Sequence, residues 1–157
     1  MTTRLPTTPQ KLAALYDQDY YLWLETTAKL LREGTLSELD IDNLLEEVED
    51  MGRSEKRAVY SNLKILLMHL LKHRYQPGKR SNSWRYTIVE HRQSIQRAFQ
   101  ESPSLKSYSY EVFGECYQEA KELAAAETGL AVDTFPTQSP FIPEEILHAD
   151  YLGDSEK

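Results

Sequence analysis

The chain has 157 residues, of which 40% are hydrophobic and 27% charged, values that fit one folded domain and exclude wholesale disorder. No apolar run approaches the roughly 18 to 20 residues that span a membrane, and the N-terminus lacks the pattern of a signal peptide. Because Cys116 is the single cysteine, no intramolecular disulfide can form, and we expect a soluble protein of the reducing cytoplasm.

The net charge of −7 is distributed over three blocks of opposite sign. Residues 1–50 hold 4 Lys/Arg and 11 Asp/Glu (−7), residues 51–106 hold 12 and 3 (+9), and residues 107–157 hold 2 and 11 (−9). Two interpretations stay open at this point. Either the acidic outer blocks pack beside the basic middle and neutralise it, or the middle forms a basic face for an anionic partner.

The first part of the chain predicts two helices, since its apolar residues recur with helical spacing. Thr8-Pro9 is typical of the start of a short lead-in helix. The next helix begins after Asp17 or Asp19, either of which can cap it, and ends at Gly34, the residue type that favours the position just past a helix.

A long helical stretch then runs from Asp40 to Arg74, with its apolar residues in one helical phase through Gly52. Its first third is acidic and its last third basic, an order that complements the helix dipole. Unbroken, it would be roughly 50 Å long at 1.5 Å per residue. We therefore expect either a break near Gly52 or a protruding helix that finds a partner.

Turn residues divide the second half of the chain into two helices and an arm. Pro77-Gly78 ends the long helix, and Ser83 is predicted to cap the third main helix. Ser102-Pro103 stops that helix and starts the fourth, which ends before Gly129. The prolines beyond it predict an extended arm over residues 130–157, with one short helix near Pro143 to His148.

These elements predict an all-α, bundle-like fold of about four main helices, one of them long, with a proline-punctuated C-terminal arm. We expect residues 1–157 to form a single domain and the arm to pack on it or extend from it. The predicted core comprises the following residues: Trp23, Leu24, Leu44, Val48, Leu66, Leu70, Ile88, Ile95, Val112 and Leu123.

Two histidines, together with two carboxylates that lie far from them along the chain, carry the metal hypothesis. His69 and His73 lie four residues apart and so share one side of a helix, where an imidazole pair can bind Zn²⁺ or Fe²⁺. Glu46 and Glu49 could complete such a site only through a fold-back or a second subunit. No recognised metal motif is present, so partly buried structural histidines are the competing interpretation, and we expect no cofactor.

The basic segment around Pro77-Gly78 carries the alternative of a partner or polyanion site. Its cations are interleaved with aromatic residues, a combination that can hold phosphates while a ring stacks on a base. The acidic pI near 5.1 argues against strong nonspecific binding. The candidate contact residues are Lys72, Arg74, Lys79, Arg80 and Arg85.

Several short stretches, in one order over nearly the whole chain, resemble the bacterial, largely cyanobacterial, family catalogued as domain of unknown function 29. The resemblance implies an α-helical fold and carries no established activity, cofactor or catalytic residue. The resembling stretches are Asp19–Leu24, Leu39–Asp40, Asn43–Glu49, Met51–Glu55, His69–Lys72, Gln76–Pro77, Ser83–Trp84, Ser102–Leu105, Glu127–Leu130, Phe135–Pro136 and Pro140.

The resulting hypothesis is a non-enzymatic protein-binding or regulatory module, in contact with a protein partner or with further copies of itself. One alternative is a metal-dependent enzyme that uses His69 and His73 with carboxylates. The other is a nucleic-acid binder that uses the basic middle segment. No membrane association is expected.

Overall fold

The computed structural model describes residues 8–154, and every regular element in that range is helical. The prediction of an all-α fold with one long helix is confirmed. Within the described range no helix is long and apolar enough to cross a membrane. The helices are α1 (Pro9–Gln18), α2 (Tyr20–Glu33), α3 (Ile41–Tyr75), α4 (Asn82–Glu101) and α5 (Leu105–Thr128), with 3₁₀ turns at Leu36–Glu38, Pro77–Lys79, Val132–Thr134 and Glu145–Leu147.

The helix ends follow from their capping residues. Asp19 Oδ1 accepts a hydrogen bond from the Leu22 amide at 3.0 Å, which begins α2. Gly34 and Gly129 take the left-handed conformation that ends α2 and α5. The prediction for α4 was wrong by two residues, because Ser81 Oγ accepts from the Trp84 amide and caps the helix while Ser83 lies in its first turn.

The long helix α3 continues through Gly52 without a break and has 35 residues. A side chain placed on Gly52 would meet no atom within 4 Å, so packing does not require glycine at this position. The short helix expected near Pro143 to His148 is a 3₁₀ turn, Glu145–Leu147.

Internal contacts group the chain into two compact units, Met1–Arg53 and Ser54–Lys157, here called the N-terminal and C-terminal units. The expectation of a single domain over residues 1–157 stays a prediction. In the N-terminal unit, Leu12, Trp23 and Leu30 form a small core, and the Trp23 indole donates to Asp40 Oδ2 at 3.1 Å. This bond supplies the partner that a buried indole N–H requires.

The C-terminal unit has a larger core, built from the second half of α3 with α4, α5 and the segment after α5. That segment contributes Phe135, Phe141 and Ile146, all buried. Buried Arg92 on α4 donates to the carbonyl oxygens of Ile146 and Ala149 at 2.8 and 2.9 Å, and also to that of Tyr151. One α4 side chain thereby fixes the backbone near the end of the described chain.

The predicted core was wrong at three positions. Leu24, Val48 and Leu123 are exposed, at 40%, 54% and 42%. Helical spacing identifies one side of a helix as apolar, but it does not show whether another element covers that side.

Candidate functional site

The acidic cluster at the start of α3 is divided between two sets of partners in the N-terminal unit. Glu47 accepts hydrogen bonds from the hydroxyls of Tyr16 and Tyr20, each at 2.5 Å. The hydrogen bond to Glu47 and burial raise the pKa of Tyr16 to about 12. Glu46 and Glu49 instead pair with the Arg53 guanidinium, at 3.1 and 3.7 Å. Their side chains therefore already have partners in this unit.

The histidine pair lies in the C-terminal unit. His69 Nδ1 donates to the Ile65 carbonyl at 3.0 Å, which leaves Nε2 as its ligand atom. His73 is only 3% exposed. Burial lowers the pKa of both imidazoles, which favours their neutral form. Within residues 8–154 no three His, Cys, Asp or Glu side chains are grouped to hold a metal, so the metal hypothesis stays a prediction.

Two further side chains of the C-terminal unit, those of His91 and Cys116, have structural roles. His91 Nδ1 lies 2.7 Å from Asn62 Oδ1 and donates to it, which joins α4 to α3. Cys116 is fully buried, and burial raises the pKa of its thiol to about 12. A thiol in such surroundings is a poor nucleophile, because the reactive form is the thiolate.

Lys72, one of the five predicted contact cations, lies inside the C-terminal unit. Its side chain is 2% exposed, and its Nζ lies 2.6 Å from Glu127 Oε1. The same ammonium lies 4.5 Å from the centre of the Trp84 ring. Lys72 is therefore neutralised by α5 and covered by α4, and an external ligand does not have access to it.

Two other predicted cations, Arg80 and Arg85, come together in an open cleft of about 610 Å³ at the start of α4. Arg80 Nε donates to the His73 carbonyl at 2.7 Å, and its Nη2 pairs with Asp154 at 2.7 Å. The remaining candidates, Arg74 and Lys79, do not line it. The α4 cleft is formed by His73, Arg80, Ser81, Asn82, Arg85, Leu152 and Asp154.

The N-terminal unit carries an exposed apolar surface on α3. Ile41, Leu45 and Val48 are 57%, 55% and 54% exposed. Their spacing of four and three residues places them along one side of the helix. We call these three residues the α3 stripe. It lies in the acidic block, and Asp42 is three residues from its central leucine.

A comparison with known protein families matches residues 15–152 to the family described as Domain of unknown function DUF29. The chain belongs to the DUF29 family. No curated protein and no solved structure matches this DUF29 chain. The family assignment agrees with the resemblance seen in the sequence and brings no activity with it.

Sequence reasoning missed two features of these surfaces in the DUF29 chain. Asp154 was not named, because 74 positions separate it from the Arg80 side chain that it pairs with, and no local pattern signals that contact. The α3 stripe was not named either, because Ile41 and Leu45 were not singled out and Val48 was assigned to the core. Its acidic neighbours were the available signal that this end of the helix faces solvent.

Proposed function

We propose that this DUF29 chain is a non-enzymatic protein-binding module whose α3 stripe docks an amphipathic helix of another protein. The observation that carries the proposal is the exposure of Ile41, Leu45 and Val48, each above one half, on one side of one helix. Single exposed apolar residues are normal on protein surfaces. An aligned row of three is the pattern that a helix presents to a partner.

Covering the stripe would supply part of the free energy that a complex needs. Fully burying a Leu, Ile or Val side chain contributes roughly 1.5–3 kcal/mol, so covering one that is half exposed contributes about 1 kcal/mol. Covering Ile41, Leu45 and Val48 would thus supply about 3 kcal/mol towards a complex. Flanking contacts would add to this contribution, and a helix in a groove is a common way to provide both.

The negative charge around the α3 stripe indicates which kind of partner it binds. Residues 1–50 carry a net charge of −7, and Asp42 and Glu49 each lie one helical turn from Leu45. A helix with an apolar row between lysines and arginines complements this surface. A second copy of the chain would bring an equally acidic stripe against the first, which like-charge repulsion disfavours. We therefore assign the stripe to a basic amphipathic helix of another protein.

A designed peptide tests the proposal. The probe is a fluorescent helical peptide with leucines at helical spacing flanked by lysine and arginine, measured by anisotropy against the full chain. We expect Leu45→Gln/Val48→Gln to weaken binding about 30-fold, from the loss of about 2 kcal/mol of apolar burial. A peptide of the same composition with scrambled order should bind weakly, since only the ordered one presents an apolar row.

Leu36→Gln is the matched control, because Leu36 is 61% exposed in the same unit but lies outside the stripe. This variant should bind the peptide like the unaltered chain. Equal binding by the stripe variant and the control, or equal binding of the ordered and scrambled peptides, would contradict the proposal. Concentration-dependent dimers in light scattering, lost in Leu45→Gln/Val48→Gln, would assign the stripe to a second copy instead.

A cytoplasmic location forms part of the proposal. It is supported by the single cysteine, whose buried thiol is suited to a reducing compartment. Fractionation of cells that express the tagged chain tests this point, and recovery from the membrane or the culture medium would contradict it.

A further inference from the structure

The N-terminal unit has a second exposed apolar row, which lies on α2. Leu24 and Leu31 are 40% and 47% exposed, and their spacing of seven residues places them on one side of that helix. We call these two residues the α2 row. A single partner helix covers the α2 row and the α3 stripe together only if both face the same side of the unit.

Two hydrogen bonds show how α2 and α3 run beside each other. The Tyr20 hydroxyl on α2 donates to Glu47 on α3 at 2.5 Å. Three residues further along α2, the Trp23 indole donates to Asp40 at 3.1 Å. The residue number rises along α2 while it falls along α3, so the two helices are antiparallel. These side chains mark the sides on which the helices meet.

Each row begins one residue after such a contact. Leu24 follows Trp23 on α2, and Val48 follows Glu47 on α3. One residue further along a helix is a turn of about 100°. Because the helices are antiparallel, this turn brings both side chains to the same face of the pair. The α2 row and the α3 stripe therefore form the two walls of one groove, and Leu44, which packs against the small core, lies between them.

We propose that the partner helix docked on the α3 stripe lies in this groove and is held on its other side by the α2 row. The groove rests on the proposed function, because its occupant is the basic amphipathic helix already assigned to the stripe. A helix seated between two apolar walls needs a broad apolar sector, with residues at i, i+3, i+4 and i+7. A helix on the stripe alone needs only one narrow row.

Two helical peptides with the same lysines and arginines test for the second wall. The broad peptide has leucines at i, i+3, i+4 and i+7, and in the narrow peptide glutamines replace one of its two leucine rows. Anisotropy measures the binding of each to the full chain. We expect Leu24→Gln/Leu31→Gln to weaken binding of the broad peptide about 30-fold and that of the narrow peptide less than about threefold. Only the broad peptide has side chains left to cover the α2 row.

Leu36→Gln is the matched control, because Leu36 is exposed in the same unit and belongs to neither row. It should bind both peptides like the unaltered chain, and urea midpoints check that every variant still folds. A second measurement needs no substitution in the chain. In NMR spectra of the complex, the leucine methyls of the broad peptide should give nuclear Overhauser contacts to both Leu24 and Leu45, since such contacts arise only between neighbouring protons.

The outcomes separate the groove from the proposed function. Weakened binding in Leu45→Gln/Val48→Gln with unchanged binding in Leu24→Gln/Leu31→Gln would overturn the second wall and leave docking at the α3 stripe in place. Equal weakening of the broad and narrow peptides by Leu24→Gln/Leu31→Gln, or Overhauser contacts to Leu45 without any to Leu24, would also overturn it. Failure of both peptides to bind the unaltered chain would overturn the proposed function itself, and the groove with it.

Discussion

Replacement of Arg92 by methionine tests how the end of the chain is held in the C-terminal unit. Arg92 is 2% exposed and donates from its guanidinium to three backbone carbonyls, those of Ile146, Ala149 and Tyr151. Methionine keeps most of the side-chain length and the apolar contacts but has no donor. In Arg92→Met the three carbonyls lose this partner at once.

The expected loss in the free energy of unfolding follows from those three hydrogen bonds. A hydrogen bond that involves a charged group contributes roughly 1.5–3 kcal/mol, so three contribute at least about 4.5 kcal/mol. Part of this is offset, because the variant no longer buries a guanidinium, whose desolvation costs several kcal/mol. We expect Arg92→Met to lower the free energy of unfolding by about 3 kcal/mol, near the upper end for single substitutions.

Urea unfolding followed by far-UV circular dichroism measures this loss. With a slope of about 2 kcal/mol per molar urea, the midpoint should fall by about 1.5 M. Arg97→Met on the same helix is the control and should change stability by less than about 0.5 kcal/mol, because Arg97 is exposed. Hydrogen exchange should show faster exchange near Tyr151 in Arg92→Met. A loss below about 1 kcal/mol with unchanged exchange would refute the reasoning.

Four further predictions concern titration, reactivity and ligands. Burial lowers the pKa of His69 and His73, so the unfolded chain binds protons before the folded chain does as the pH falls below about 6.5. The free energy of unfolding, measured by urea midpoints, should therefore fall with pH by at most about 1.4 kcal/mol per pH unit for each histidine. The same pH dependence in His69→Gln as in the unaltered chain would contradict this. The thiol of Cys116 should react with Ellman's reagent only after unfolding, since its pKa is raised to about 12 and it is buried; rapid native reaction would contradict this. Elemental analysis should find no stoichiometric metal, whereas about one Zn or Fe per chain, lost in His69→Ala/His73→Ala, would establish the metal hypothesis. Binding to DNA or RNA should be negligible near 150 mM salt in filter assays, and a micromolar complex lost in Lys79→Glu/Arg80→Glu would contradict this.

Local signals in the sequence predicted the helices well. Gly34 and Gly129 end α2 and α5 where left-handed backbone is needed, and Asp19, one of the two candidates, caps α2. The apolar phase continues through Gly52, and of the two expectations there, a break or one long helix, α3 shows the long helix. These features depend on residues within one or two helical turns of each other, which is why sequence reasoning finds them.

Contacts between segments that are far apart in the sequence could not be predicted from such local signals. The sequence placed Lys72 on a basic loop surface, but its partner Glu127 lies 55 positions away on α5. Leu24 and Val48 were expected in the core, and both are exposed. Whether a charge is paired or an apolar side covered depends on which elements meet, and one sequence without an alignment carries little information on that.

The basic middle of the chain is partly neutralised by the acidic block that follows it, and this decides which cations are available to a ligand. Within the C-terminal unit, Lys64, Lys72 and Arg80 pair with Glu119, Glu127 and Asp154 respectively. These pairs support the first interpretation of the charge pattern for those three cations.

The second interpretation, a basic face for an anionic partner, then depends on the cations that have no ion pair. Arg85 lines the α4 cleft and has no ion pair within residues 8–154, although a cation near a helix N-terminus is unfavourable by itself. In the N-terminal unit, the acidic residues beside the α3 stripe outnumber the one arginine, Arg53, that pairs with them, and this excess of negative charge supports the proposed basic partner. The proposed ligand of the α3 stripe is therefore a basic peptide, and the designed lysine- and arginine-flanked peptide tests it.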